Sequence, residues 1–156
     1  MRAIVALQAG GPDELTLHEV PVPEPAAGEL LVEAAAIGVN FIETYQRSGV
    51  YPVSFPFTPG AEASGTVVAV GDGVSGFVPG DRVTTSEARS SYAERFLVEA
   101  ERAVRVPDAV DLDTAGALPL QGLTAHYLAT SAARVQAGDT VLVHAGAGGV
   151  GLLRRL

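Results

Sequence analysis

The sequence predicts a mostly β barrel with short helices, followed by the opening strand and helix of a dinucleotide-binding fold. Three observations point to it. Short β-rich runs recur about every ten residues with Gly and Pro punctuation between them. After Pro107 the apolar residues change to helical spacing. Near the end, Gly146, Gly148 and Gly151 match G-x-G-x-x-G directly after the hydrophobic run Val141-Leu142-Val143.

Taken in order, residues 2–7 and 14–20 are β-rich runs separated by Gly10-Gly11-Pro12-Asp13, a strong turn signal. Pro21, Pro23 and Pro25 lack the N–H that a ladder needs, so an extended linker is expected there. A strand resumes over 29–37, with Leu30, Val32 and Ala34 on one face and Leu31, Glu33 and Ala35 on the other. Gly38 ends it. Residues 40–49 read as a short helix capped by Asn40 and terminated by Gly49. Pro52, Pro56 and Pro59 then impose a rigid, irregular loop. The β pattern returns over 63–70, turns at Gly71-Asp72-Gly73, and continues over 80–85 and 92–98. Asp111 or Asp113 caps a helical turn running through Ala117, and Leu120, Leu123, Thr124, Tyr127 and Leu128 support a helix through Ala133. Gly138-Asp139 turns the chain into a strand at 141–143.

Composition narrows the function. A chain of 156 residues, 47% hydrophobic and 18% charged, suffices for one well-buried domain but not for two full ones. No apolar run reaches the length of a membrane span, and the start is interrupted by Gln8 too soon for a secretory signal, so a cytoplasmic protein is expected. A formal charge of −8 argues against nucleic acid or an anionic membrane as partner. With no cysteine, and with His18, His126 and His144 far apart in sequence, no metal site is expected.

Glycines at the 146–151 spacing let backbone N–H groups approach a pyrophosphate at a helix N-terminus, where the dipole favours negative charge. The acidic ribose-binding residue expected about 20 positions later falls beyond Leu156, so the motif does not reveal which cofactor is used. A second constellation is 39–52, where Asn40, Tyr45 and Arg47 stand at the mouth of a helix and could orient a planar ring or a carbonyl. The plain alternative is a capped amphipathic helix with Phe41 and Tyr45 packed at i, i+4, and spacing alone favours it. Glu62, in a Gly/Pro loop, reads either as a proton-transfer group or, more commonly, as a turn-stabilising or solvated residue. His126 reads as a surface or boundary residue, and His144 as the end of a strand facing a neighbour.

Six collinear pieces carry a resemblance: Val39–Tyr45 with Arg47-Ser48-Gly49, Pro59–Gly65, Gly80-Asp81-Arg82-Val83, Ser91-Tyr92-Ala93-Glu94, Leu118–Ala125 and Leu142–Gly151. In that order the chain resembles the zinc-independent quinone oxidoreductase, zeta-crystallin-like branch of the medium-chain dehydrogenase/reductase superfamily. The resemblance implies a GroES-like barrel catalytic domain over residues 1–120, then a linker helix and the start of a truncated Rossmann domain over 121–156. It implies hydride transfer from NADPH to a quinone or another conjugated carbonyl. In the zinc-dependent branch a Cys and a His bind metal at the positions held here by Asn40 and Ala61, so a metal-free mechanism is implied. By the same resemblance, Asn40, Phe41 and Tyr45 contact the nicotinamide, Gln121 and Thr124 border it, and Gly148, Gly149, Val150 and Gly151 receive the pyrophosphate. Arg47 and Tyr51 shape the quinone site, and Asn40 and Tyr45 are the candidate catalytic residues, Tyr45 as proton donor.

Glu43, where the family more often has Asp, and Gly146, where Ala is common, are mild departures. From Arg154 the family pattern is lost, and the chain is expected to be truncated there. One strand and under three turns of helix do not make a stable α/β sheet, so a homo-oligomer that covers them is expected. The rival functions are an enoyl or alkenal reductase of the same superfamily, and an inactive fragment or interaction module.

Overall fold

Strands β1 (Arg2–Val5) and β2 (Thr16–Glu19) pair antiparallel, with Ala3 opposite His18, and a 3-10 turn at Pro12–Glu14 lies in the loop between them. They open the first of two units in the computed structural model, which divides after Ala117; the structure describes residues 1–153. The Pro-rich segment that follows carries no strand, and β3 (Glu29–Ile37) then enters the main sheet. With β4 (Ala63–Val70), β5 (Arg82–Thr85), β6 (Arg95–Glu99) and β7 (Val104–Arg105) it forms an antiparallel sheet of order β6-β3-β4-β5-β7. Two register shifts along β3 and β4, between Leu31 and Val32 and between Ala34 and Ala36, mark bulges. Bulges bend a strand and increase its twist, which helps curve the sheet around its core.

Both faces of the first half of β3 are buried, so Leu30, Leu31 and Val32 contribute together where strict alternation would have left one face to solvent. Leu30, Val32, Val67, Val83, Phe96 and Val98 form the core, each at most 1% exposed. Full burial of such side chains contributes about 1.5–3 kcal/mol each. An Ala3–Ala93 bridge ties β1 to the segment just before β6, and reciprocal bonds of 2.8 Å link Ala6 to Phe57 in the loop before β4. The result is the expected mostly β architecture with short helices.

Helix α1 (Phe41–Ser48) starts at Asn40, with extended backbone, and ends at Gly49, whose φ of 80° is the left-handed conformation that glycine adopts readily. Helix α2 (Leu112–Gly116) is capped by Asp111, whose carboxylate accepts the Thr114 N–H at 2.7 Å. That backbone bond, with the Thr114 hydroxyl after it, holds the Asp111 carboxyl below its usual range. Thr84 Oγ1 donates to the Ala115 carbonyl at 2.6 Å and fixes α2 to β5.

The second unit begins with α3 (Pro119–Tyr127), which opens on proline and passes into a π-helical turn, Leu128–Ala132. The single helix expected through Ala133 therefore changes pitch: the Ala133 N–H reaches back five residues to the Leu128 carbonyl at 3.0 Å. Among the described residues, 141–143 join no ladder, contrary to the strand expected there, because no described strand lies beside them to supply the bonds. Helix α4 (Gly149–Leu153) follows the glycine turn as expected.

Candidate functional site

In the first unit, Asn40 stands where β3 has ended and α1 begins. Asn40 and Glu43 form a capping box, in which Glu43 Oε2 accepts the Asn40 backbone N–H at 2.9 Å. The Asn40 side chain also donates from Nδ2 to Glu62 Oε2 at 2.9 Å. Glu62 is 0% exposed, so the solvated reading of this residue is corrected: the Gly/Pro loop folds inward and delivers its carboxylate to the helix start. Its backbone is fastened too, the Gly38 N–H reaching the Glu62 carbonyl at 2.9 Å. A Cβ at Gly38 would meet Glu62 Oε2 at 2.3 Å, so the residue that ends β3 also makes room for the carboxylate.

Glu43 is 6% exposed and has a second donor, the Tyr92 hydroxyl, at 2.6 Å from Oε2. Burial first, and then the hydrogen bond to Glu43, push the Tyr92 hydroxyl well above the ordinary phenol range. Because its folded pKa is raised, the stability that Tyr92 contributes is fully present below pH 10, the unfolded value, and falls as pH rises above it. In an alkaline titration followed by tyrosinate absorbance, the Tyr92 phenol is expected to ionise only as the fold opens. Ionisation of Tyr92 in the ordinary phenol range while the chain stays folded would contradict this.

The outer face of α1 is aromatic. Phe41 and Tyr45 meet edge to face at 5.2 Å, and Tyr45 meets Tyr51 at 5.3 Å with a tilt of 46°. The i, i+4 pairing that favoured a plain amphipathic helix is thus present, but the rings do not enter the core: Phe41 is 72%, Tyr45 39% and Tyr51 47% exposed. Tyr51 is held by its own N–H, which donates to the Tyr45 carbonyl at 3.1 Å. Arg47 points elsewhere, its Nε donating to the Gly10 carbonyl at 3.2 Å while its carbonyl accepts the Gly10 N–H at 3.0 Å. It clamps the β1–β2 loop onto the end of α1.

The second unit carries the glycine turn. A Cβ at Gly151 would meet the Ala145 carbonyl at 2.4 Å and Gly146 Cα at 2.6 Å, so the turn closes only with glycine there. Gly148 gives its N–H to the Ala145 carbonyl at 2.9 Å and contributes the lack of a side chain rather than a free donor. Gln121 covers Gly149, where a Cβ would meet its Cγ at 2.7 Å, and Thr124 donates to the Leu120 carbonyl at 2.6 Å within α3. Val150 lies in the first turn of α4, and His126 and His144 are both exposed. A groove of about 750 Å³ runs along this unit, lined by Leu118, Ala125, Ala129, Val141, Leu142 and Leu153 among others.

The profile of the alcohol dehydrogenase GroES-like domain matches residues 26–137, most of the chain. The chain belongs to that family. Within it the likeness is to the quinone oxidoreductases. A quinone oxidoreductase of Pseudomonas aeruginosa is 42% identical over 145 residues, which are 92% of this chain and 45% of that protein. A 2-haloacrylate reductase of a Burkholderia species is 40% identical over 156 residues, 96% of this chain and 47% of that protein. A mycobacterial protein solved in complex with NADPH superposes with a TM-score of 0.96 at 51% identity, over 99% of this chain and 48% of that one. The chain therefore spans about half the length of the curated relatives it matches.

Glu62 as the partner of Asn40, and Tyr92 as the partner of Glu43, were not foreseen from sequence. Their separations of 22 and 49 residues leave no local periodicity to read. The one signal was indirect: both lie in the short motifs that carry the family resemblance.

Proposed function

We propose that this chain supplies the substrate side and the opening nucleotide-binding unit of a metal-free, NADPH-dependent quinone oxidoreductase of the cytoplasm. The observation that carries this reading is the exposed trio Phe41, Tyr45 and Tyr51 beside the anchored amide of Asn40, in a chain whose relatives include quinone oxidoreductases. Flat exposed rings and a fixed amide suit a nicotinamide carboxamide and a quinone, and a Cβ at Gly146 would have no neighbour nearer than 3.9 Å, as a turn open to phosphate needs.

When bound, NADPH supplies the hydride. The chain's own part is placement. Phe41 and Tyr45 pack on the flat ring, and Asn40 sets its rotation through the carboxamide. Tyr51 bounds the acceptor, with Arg47 acting from behind by holding the end of α1. Tyr45 carries the hydroxyl proposed to protonate the product oxygen. In the second unit Gly148, Gly149, Val150 and Gly151 form the pyrophosphate turn, with Gln121 and Thr124 on the neighbouring helix. Orienting two flat reactants removes much of the entropic barrier without a strong acid or base. The proposal includes a homo-oligomer, because Val141 and Leu142 are 55% and 81% exposed on an apolar groove. The 2-haloacrylate reductase among the relatives supports a second acceptor class, the activated C=C bond.

Titration with NADPH, followed by nicotinamide fluorescence, is expected to saturate, and benzoquinone is expected to oxidise the bound cofactor faster than an α,β-unsaturated ketone does. A faster enone would favour the second acceptor class. No binding up to millimolar NADPH would overturn the reading and leave an inactive fragment or interaction module.

A further inference from the structure

Glu62 is fully buried, so it cannot itself meet a ligand, yet it grips the one side chain of the helix start whose two ends differ chemically. We propose that Glu62 is a positioning residue: it fixes which end of the Asn40 amide, the NH2 or the oxygen, each neighbour meets, and thereby sets how Asn40 holds the nicotinamide. This rests on the function proposed above and adds to it the residue that orients the contact.

Glu62 Oε2 accepts from Asn40 Nδ2 at 2.9 Å. If the amide turned over, its oxygen would stand at that separation from the carboxylate oxygen with no proton between them. A buried acceptor pair of this kind forfeits a hydrogen bond and adds repulsion, so one flip is selected. The carboxylate itself has little freedom. The Glu62 carbonyl takes the Gly38 N–H at 2.9 Å and the hydroxyl of buried Ser91 at 3.4 Å, and the absent Cβ of Gly38 leaves the path to Asn40 open. Asn40 cannot escape by moving its backbone, because Glu43 Oε2 holds its N–H, and Tyr92 holds the same oxygen at 2.6 Å. The Glu43 carboxylate fixes where Asn40 sits; Glu62 takes the NH2 end of its amide, and the capping box turns the oxygen end to the Glu43 N–H, so both select the same flip.

The sequence supplies a direct probe, since Asn40 is the only asparagine in the chain. Asparagine-selective 15N labelling gives one side-chain NH2 pair. In the wild-type chain this pair is expected to show NOEs to the Glu62 Hγ and Gly38 Hα protons and to exchange with water at least about tenfold more slowly than a free amide. Glu62→Met keeps the length of the side chain but removes the acceptor, so the pair is expected to shift and lose that protection. Reduced nicotinamide mononucleotide, which carries the hydride without the pyrophosphate or adenosine, is then titrated into both chains. It is expected to shift the wild-type pair and to bind the variant about tenfold more weakly. Absence of the wild-type NOEs would overturn the role of Glu62 even if the variant failed to fold, and so would equal protection or equal affinity in two folded chains. Protection that depends on Glu62, with no response to the mononucleotide in either chain, would remove the nicotinamide from this site and overturn the functional reading instead.

Discussion

Gly65→Ala is expected to destabilise the first unit by about 3 kcal/mol, the upper part of the range for overpacking a tight interior. Gly65 lies in β4 between Ala34 of β3 and Val83 of β5. A Cβ there would stand 2.0 Å from the Glu33 carbonyl oxygen and 2.8 Å from Val32 Cγ1. The oxygen is backbone, so relief requires β3 to move away from β4. That motion breaks the central ladder and disturbs the approach of β3 to Gly38 and Asn40. Urea unfolding of the variant should show a lower midpoint with little change in slope. A loss under about 1 kcal/mol would mean that β3 and β4 are not packed this closely.

The second large effect is at the helix start. Asn40→Asp would set a carboxylate oxygen 2.9 Å from the buried Oε2 of Glu62 in place of a donor. The expected loss is about 3 kcal/mol, the lower end for leaving a buried charge without its partner. Adding Glu62→Gln restores a donor, now on the other side of the pair, and the double variant should recover most of the stability. Such a cycle isolates the pairwise contribution. Additive losses in urea unfolding would contradict the pairing. Both variants act on the same few atoms, so the outcome also bears on whether the Glu62 loop is turned inward.

Local chemistry was legible in the sequence, whereas side-chain partnerships across the fold were not. Asn40 and Gly49 bound α1 as read, because capping and left-handed termination act within a few residues. β3 occupies 29–37, the span its apolar pattern and Gly38 delimit. The two-residue β7 was missed because Val104–Arg105 is too short to show any period, and its pairing with β5 is purely tertiary. The change from α to π pitch at Leu128 left no mark in a pattern that keeps its helical spacing. The strand at 141–143 was read from composition, but a ladder also needs a neighbour. In the site, the aromatic and amide residues of α1 could be named from motif order. The burial of Glu62 could not: a carboxylate in a Gly/Pro loop is usually at the surface, and only the approach of β3, Gly38 and Ser91 turns it inward.

The exposed aromatic face of α1 is the proposed seat of a reduced nicotinamide. The NADPH titration, read by intermolecular NOEs in place of fluorescence, tests it most directly. NOEs are expected from the dihydronicotinamide ring protons to the rings of Phe41 and Tyr45. Saturable NADPH binding without any NOE to these two rings would contradict it.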